Sequence, residues 1–421
     1  MISIFFIVLV IFLIIGIPVG ITLGAASVLY IIMAGIPPMI IVQKLFSGID
    51  STSLLAIPFF ILAGDLMNRG GIAKRLVDMA NAYIGRLTGG LAIVTIVGCM
   101  FFAAISGSGV ATAAALGAIM IPEMVKNGYD REFSSAIVAA GSPIGVIIPP
   151  SVAFVVYASL TQCSVADLYL VGIPAGIMMG IVLIGLSIFH SRKEGYIGLK
   201  GKTTLKEKLI LTRDALWALG TPIILIGGVF AGIFTPTESA VIAVAYALII
   251  GLFIYKDLNI KDLPSIFLSS ARTIGKIMFI IGNATLFAYV LAYEQIPQKI
   301  IVGFLNISAS PIVILLIINV IFLIAGMVME TTAIYVILVP LLWPVAQALG
   351  IDVIHFGIVI TVNTAIGLLS PPFGVVMFTA ASIGDVPIEK LSKKVLPFIA
   401  VMIVVLLIIT FIPETVLFLL N

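Results

Sequence analysis

Residues 105–113 read ISGSGVATA, and they lie inside a stretch that is otherwise apolar enough to cross a membrane. The Ser-Gly run at 106–109 is poor material for a helix interior, so we expect the helix to break there. Three other apolar stretches are interrupted in a similar way: GVIIPPS at 145–151, GMVMETT at 326–332 and GLLSPPF at 367–373. These four breaks determine how the rest of the chain is interpreted.

The composition is that of a membrane protein. The chain has 421 residues, of which 62% are hydrophobic and 10% charged, with a mean hydropathy of +1.30. Soluble domains carry roughly 25% charged residues. Repeated apolar runs of helical length predict an all-α polytopic membrane protein, embedded in a lipid bilayer. The first segment, MISIFFIVLVIFLIIG, lacks a basic n-region and a cleavage site, so we expect it to be a retained membrane segment.

Enzyme and nucleic-acid functions find no support in the sequence. It contains no HExxH, CxxC, GxSxG or Walker A spacing, so we expect a protein that is not an enzyme and holds no cofactor. The isolated residues Cys99, Cys163, His190 and His355 do not have metal-ligand spacing. A net charge of +3 does not indicate a nucleic-acid partner in a chain of this class.

The two halves of the chain resemble each other. When residues 122–158 are aligned with the residues 222 positions later, many are identical and no gap is needed. The identical pairs include Pro122 and Pro344, Gly128 and Gly350, Asp130 and Asp352, and Pro149-Pro150 and Pro371-Pro372. Each half then combines a re-entrant helical hairpin with a broken transmembrane helix, as in transporters built from repeats. The sequence predicts two repeats joined by a linker.

The predicted domains follow from this match. The first repeat is 1–190, a basic cytoplasmic linker is 191–213, and the second repeat is 214–421. We expect the parts of the first repeat to be scaffold helices in 1–68, an amphipathic arm at 71–86, a hairpin at 88–125 and a broken helix at 132–161. The parts expected in the second are scaffold helices in 215–255, an arm at 256–276, a hairpin at 311–348 and a broken helix at 353–383.

The charges predict the orientation. Five crossings in the first repeat force the second repeat to be inverted. With the linker in the cytoplasm, 20 of the 22 Lys and Arg residues lie inside, and only Lys44 and Lys299 lie outside. The positive-inside rule favours this arrangement. We therefore expect both termini on the outer side of the membrane.

The breaks favour ion binding. Interrupting a helix in lipid frees backbone groups, which is tolerable where they line a cavity and bind something. Because proline has no N–H, the carbonyls around Gly145–Val146 and Gly367–Leu368 are predicted to be free ligands. With the hydroxyls of Ser106 and Ser108, they offer neutral oxygens that suit Na⁺ as a coupling ion. The alternative is that the small residues only allow close helix packing.

Polar residues near the breaks are candidates for substrate contact. Asp65, Glu238 and Glu330 lie in or beside apolar runs, where acids are usually functional; the alternative is that they are helix caps or local hydrogen-bond partners. Glu330 takes the position of Ser108 in the second repeat. The candidate substrate residues are Ser142, Glu330, Thr332, Asn363 and Thr364. For Ser142, Asn363 and Thr364 the equal alternative is that they satisfy backbone groups freed at the breaks.

The four breaks in their sequence context resemble a known family. GSGVATAAALGAIMIPEMVKNGYD, GSPIGVIIPPS, METTAIYVILVPLLWPVA and NTAIGLLSPPFGVVMF are similar to the large, DctM-like membrane subunit of tripartite ATP-independent periplasmic (TRAP) transporters, in its separate-chain form. The resemblance implies an Na⁺-driven importer of organic acids, such as C4-dicarboxylates, keto acids or sialic acids, with an elevator mechanism. It also implies two partners, a small four-helix membrane subunit and a periplasmic solute-binding protein.

The resemblance also suggests the ion ligands. The first sodium site would use Ser106, Ser108, Gly145, Ile148 and Pro150. The second would use residues near Gly326, Thr331, Gly367, Ser370 and Pro372. The expected location is the cytoplasmic (inner) membrane of a bacterium or archaeon. The alternatives are a stand-alone ion-coupled organic-anion carrier of related fold without a binding protein, and a non-transporting scaffold or channel.

Overall fold

The computed structural model describes residues 1–198, 204–308 and 310–420, and all regular structure within these ranges is helical. The first half of the chain forms eleven helices: α1 (Ile2–Ile14), α2 (Val19–Met33), α3 (Met39–Ile49), α4 (Ala56–Arg69), α5 (Ile72–Ile84), α6 (Gly90–Ser106), α7 (Gly109–Lys126), α8 (Arg131–Gly141), α9 (Ile144–Ile147), α10 (Val152–Thr161) and α11 (Val165–Glu194).

The second half forms a further set of helices: α12 (Leu205–Pro222), α13 (Gly228–Phe230), α14 (Pro236–Ile249), α15 (Leu263–Tyr293), α16 (Ile296–Ile307), α17 (Pro311–Val328), α18 (Thr331–Ala348), α19 (Val353–Leu369), α20 (Val375–Gly384), α21 (Ile388–Phe411) and α22 (Glu414–Leu417). Two π-helical turns continue α12 and α14, at Ile223–Gly227 and Ile250–Ile254, and a short 3₁₀ turn at Ile260–Asp262 precedes α15.

Nine helical segments in the described ranges are long and apolar enough to cross a membrane. The prediction of an all-α polytopic membrane protein is confirmed. The region 1–68, predicted to hold scaffold helices, contains α1, α2 and α4, which have 13, 15 and 14 residues. At 1.5 Å per residue these reach only about 20 Å, less than a hydrocarbon core of about 30 Å.

One order of elements occurs twice along the chain. A short amphipathic helix, a helical hairpin, a broken helix and a long helix follow one another as α5, α6–α7, α8–α10 and α11. The same order returns as α16, α17–α18, α19–α20 and α21. The hairpins span 90–126 and 311–348, the broken helices span 131–161 and 353–384, and both Pro-Pro peptide bonds at the breaks are cis.

The predicted second arm and linker differ from the structure. Residues 256–276 do not form a separate arm, because from Leu263 onward they belong to the 31-residue helix α15. The amphipathic helix before the second hairpin is α16 instead. Pro264 and Pro297 each lie in the first turn of a helix, where a missing N–H costs nothing. Within the linker at 191–213, α11 continues to Glu194 and α12 begins at Leu205, while 199–203 lie outside the described residues.

Small residues let the scaffold helices pack closely. Gly24 of α2 faces Asn283 of α15, and a Cβ added to Gly24 would lie 2.0 Å from the Asn283 side chain. Gly48 of α3 contacts Thr285 of the same helix in a similar way. Close packing through small residues is typical of membrane helices, which lack a hydrophobic force between them.

The two halves interlock around the breaks. Each hairpin packs on its own broken helix, α7 on α8 and α17 on α19. In addition, α20 of the second broken helix packs on α7 of the first hairpin, and α10 of the first broken helix packs on α18 of the second. Helices α4 and α15 contact these hairpins from the side. This exchange brings both hairpin tips to one place.

Candidate substrate and ion site

The tips of both hairpins face a single cavity of about 370 Å³. Its volume is in the range of small-molecule sites. The wall is made by both hairpins, both broken helices, α4 and α15, and its polar residues are Asp65, Asn68, Ser106, Ser108, Thr273, Glu330, Thr331 and Thr332. Apolar side chains such as Phe102 and Ile277 complete the lining.

The Ser-Gly run makes the first hairpin tip. Gly107 ends α6 with φ +60°, a left-handed conformation that favours glycine. Ser108 is extended and caps α7, its Oγ accepting the Ala111 N–H at 3.4 Å. A Cβ added to Gly107 would lie 2.5 Å from the Pro150 carbonyl oxygen, so the tip rests directly on the Pro-Pro break.

A chain of oxygens stabilises this tip. Ser106 Oγ lies 3.1 Å from Thr112 Oγ1, and Thr112 Oγ1 donates to the Ser108 carbonyl at 2.8 Å. Gly145 packs on the same threonine, because a Cβ added there would lie 2.6 Å from Thr112 Oγ1. The sequence interpretation missed Thr112. Its position one helical turn after Ser108 was the signal that could have identified it.

Two of the carbonyls predicted to be free have partners. The Val146 carbonyl accepts the Ser151 hydroxyl at 2.6 Å, and the Gly367 carbonyl accepts the Ser370 N–H at 2.9 Å. The prediction of free carbonyls is therefore wrong for Val146 and Gly367. Ser151, just after the first Pro-Pro pair, and Ser370, just before the second, replace hydrogen bonds that proline removes.

The second tip differs from the first in its charge. Glu330 precedes α18 as Ser108 precedes α7, but its side chain makes no capping hydrogen bond; it is exposed and lines the cavity. Thr332 Oγ1 donates to Glu330 Oε1 at 3.1 Å. Thr331 Oγ1 is buried and has no hydrogen-bond partner among the described residues. A buried hydroxyl without a partner is costly, so this oxygen is available to a ligand.

The predicted substrate residues separate into two groups. Glu330 and Thr332 line the cavity, whereas Ser142, Asn363 and Thr364 are fully buried and do not. Ser142 Oγ donates to the Val138 carbonyl at 2.6 Å and Thr364 Oγ1 to the Ile360 carbonyl at 3.0 Å. Both are the back-bonds that Ser and Thr make inside helices. Asn363 Nδ2 donates to the Asn319 carbonyl at 2.8 Å and so joins α19 to α17.

The predicted sodium ligands are also divided. Ser106, Ser108 and Thr331 line the cavity, and Gly145 and Gly326 lie behind the tips. The remaining residues are at the two breaks. At the first break, the Ile148 side chain packs on Gly176 of α11, and Pro150 contacts Gly107. At the second, Gly367 contacts Gly326, Ser370 Oγ donates to the Ile366 carbonyl at 2.8 Å, and Pro372 is exposed.

The other two intramembrane acids have different roles. Glu238 is in a capping box at the start of α14, where it exchanges hydrogen bonds with Thr235. This geometry fits the alternative that Glu238 caps a helix. Asp65 lines the cavity, and its carboxylate accepts the Ser270 hydroxyl at 2.5 Å.

Comparison with known proteins identifies the family. Residues 6–415 match the family model described as tripartite ATP-independent periplasmic transporter, DctM component. The chain is 44% identical to the isethionate TRAP transporter permease protein DctMQ of Oleidesulfovibrio alaskensis, over 96% of this chain and 64% of that protein. It therefore spans a little less than two thirds of the length of this relative.

Two further proteins are similar to this chain over most of their own length. The chain is 42% identical to the C4-dicarboxylate TRAP transporter large permease protein DctM of Pseudomonas aeruginosa, over 88% of this chain and 86% of that protein. Its fold is similar to the crystal structure of the YdaH transporter of Alcanivorax borkumensis, with a TM-score of 0.65 at 14% identity, covering 88% and 86% of the two chains. The chain belongs to the DctM family and is a large permease of the TRAP transporters.

Proposed function

We propose that this permease imports an organic acid together with Na⁺ by an elevator movement. The observation that carries the proposal is the meeting of two hairpin tips, each resting on a broken helix, in one cavity. Irregular backbone at membrane depth is tolerated where it lines such a cavity, and both transporter repeats and ion sites are built in this way.

Neutral oxygens at the first tip suit sodium. Ser106, Ser108 and Thr112 bring hydroxyl and carbonyl oxygens together beside Gly145. Such a set of neutral oxygens favours a monovalent cation over Ca²⁺ or Mg²⁺, which usually recruit carboxylates. At the second tip, the unpartnered hydroxyl of Thr331 is our candidate ligand, with the Gly326–Gly367 contact behind it.

The substrate is proposed to be an organic anion. The N-termini of α7 and α18 both begin at residues that line the cavity, and helix N-termini attract negative charge. The two relatives compared above are named for isethionate and for C4-dicarboxylates, which are small anions. We propose this chemical class for the present chain.

The proposed elevator has a moving part and a fixed part. In the proposal, the hairpins and broken helices move, while α2, α3, α4, α14 and α15, which pack on one another, remain fixed. The second repeat is inverted with respect to the first, both termini face outward, and the protein lies in the cytoplasmic membrane of a prokaryote. The distribution of Lys and Arg supports this orientation.

Two further chains are proposed as partners. A periplasmic solute-binding protein would deliver the acid, and a small four-helix membrane subunit would complete the permease. The isethionate relative is longer than this chain, which covers 64% of it. The alternative, a stand-alone ion-coupled carrier of related fold, needs neither partner.

Reconstitution in liposomes tests the proposal. The permease is assembled with its small subunit, and uptake of isethionate, succinate and sialic acid is measured with and without binding protein under an inward Na⁺ gradient. We expect concentrative uptake of at least one acid that requires both Na⁺ and binding protein. Uptake that persists without the binding protein favours the stand-alone carrier, and uptake driven by a proton gradient alone contradicts sodium coupling.

A further inference from the structure

Asp65 lies where α4 meets the first hairpin tip. A Cβ added to the adjacent Gly64 would be 3.4 Å from the Ser106 Cα, so the backbones of the two elements are close. The Asp65 carboxylate accepts hydrogen bonds from α15, from Ser270 Oγ at 2.5 Å and Ser269 Oγ at 3.4 Å. Two helices outside the hairpins therefore hold this carboxylate at the edge of the moving tip.

The cavity contains acidic side chains but no basic one. Asp65 and Glu330 line it, and no Lys, Arg or His belongs to the part of its wall that the structure describes. Repulsion between like charges is stronger at such a site than in water, because the local dielectric constant is lower. An organic anion in this cavity therefore needs a cation to offset the two carboxylates.

The two acids belong to different parts of the proposed elevator. Glu330 is on the second hairpin and would travel with the substrate, so it stays beside the substrate throughout the movement. Asp65 is on α4, in the proposed fixed part, so the loaded tip meets its charge as it passes. Only Asp65 can therefore discriminate between a tip that carries sodium and one that does not.

We infer that Asp65 is a coupling residue, whose charge opposes passage of the anion unless sodium is bound at the hairpin tips. This inference rests on the proposed function, because it assumes an anionic substrate and Na⁺ as the coupling ion. Bound sodium offsets the repulsion, so the anion and the cation cross together. The Asp65 carboxylate repels the anion-loaded tip when the tip lacks sodium. Repulsion of a disfavoured state is a general way to achieve specificity.

Substituting Asp65→Asn tests the inference, because it removes the charge and keeps a similar shape. The variant and wild type are reconstituted with their partner subunits, using the acid among isethionate, succinate and sialic acid that wild type takes up. The readout is the ratio of initial uptake rates with an inward Na⁺ gradient and with Na⁺ replaced by choline on both sides. We expect Asp65→Asn to lower this ratio about tenfold, because sodium-free uptake rises.

Two control variants isolate the charge. Asp65→Glu keeps it and should retain a ratio near that of wild type. Asp50→Asn removes a carboxylate from the exposed C-terminal end of α3, outside the cavity lining, and should leave the ratio unchanged. A role in tying α4 to α15 would instead reduce uptake equally in both media.

Each result then has one meaning. An Asp65→Asn ratio equal to that of wild type overturns the inference, and so does a loss of uptake in both media. Wild-type uptake that ignores sodium contradicts the proposed function itself. That failure is visible before any variant is compared.

Discussion

Gly326 and Gly367 meet backbone to backbone where the second hairpin crosses its broken helix. A Cβ added to Gly367 would lie 2.5 Å from the Gly326 Cα, and one added to Gly326 would lie 2.8 Å from the Gly367 Cα. Backbone atoms cannot swing away as a flexible side chain can. Both positions therefore need glycine for space, and their contact sets the distance between α17 and α19.

We expect Gly367→Ala to destabilise the protein. The added methyl group must push the two helices apart, and overpacking of this kind costs about 1–3 kcal/mol. The melting temperature of the purified protein in detergent should fall. Gly303→Ala is the matched control, because a Cβ at Gly303 of α16 meets nothing within 4 Å. Equal melting temperatures for the two variants would contradict the proposed packing.

The oxygen chain at the first tip leads to a second prediction. Thr112→Val keeps the shape of the side chain but removes the hydroxyl that links Ser106 Oγ to the Ser108 carbonyl. We expect the Na⁺ concentration for half-maximal uptake to rise about 3- to 10-fold, which corresponds to losing one hydrogen bond of about 1 kcal/mol. Uptake measured as a function of Na⁺ concentration gives this value.

Thr95→Val is the control for that variant. Thr95 is also buried, but its hydroxyl donates to the Leu91 carbonyl of its own helix at 2.8 Å and lies outside the cavity lining. Its sodium dependence should match that of wild type. If Thr95→Val and Thr112→Val raise the sodium requirement equally, the effect is one of general packing and not of the tip.

The parts of the fold that depend on local chemistry were predictable from the sequence. A Ser-Gly run and two Pro-Pro pairs disfavour a continuous helix, and α6, α9 and α19 end next to them, at Ser106, Ile147 and Leu369. Helices α3 and α16 were not predicted. They are short and amphipathic, and in α16 Pro297 lies in the first turn, where proline is tolerated.

The contacts within the site were less accessible to sequence reasoning. The sequence suggested that Asn363 and Thr364 reach the substrate, but helix α19 turns them into the protein, where they bond to α17 and to their own helix. Thr112 was missed because only the fold brings it against Gly145. Whether a polar residue faces a cavity depends on how helices from the two halves pack, which no single segment encodes.

The Asn363 contact separates a structural role from a functional one. Asn363→Ala leaves Asn319 Oδ1 without its donor and removes the side-chain hydrogen bond to the Asn319 carbonyl. We expect a loss of stability of about 1–3 kcal/mol from these buried acceptors, with no change in the apparent affinity for the transported acid. Thermal melting and the KM of uptake, measured on the folded fraction, check the two parts.

Asn68→Ala should change the KM of uptake and leave the stability almost unchanged. Asn68 is exposed and lines the cavity, so its loss should leave the stability within about 0.5 kcal/mol and change the KM. A change in KM for Asn363→Ala without a loss of stability would return Asn363 to the group of substrate residues.

The matched aspartates of the two halves differ in how they cap their helices. Asp352 accepts the N–H groups of Ile354 and His355 at 2.8 and 2.9 Å at the start of α19. Asp130 has the same backbone conformation before α8, but its side chain makes no capping bond and instead lies 3.7 Å from Lys394 Nζ. An exposed ion pair of this kind contributes little.

We therefore expect Asp352→Ala to lose about 0.5–2 kcal/mol of stability, the usual value of an N-cap. Asp130→Ala should lose less than about 0.5 kcal/mol, and 1 M NaCl should abolish even that difference because salt screens the exposed pair. Thermal melting of both variants at low and high salt makes the comparison. A loss of stability for Asp130→Ala as large as that for Asp352→Ala would mean that both aspartates cap their helices. That result would contradict the geometry at the start of α8.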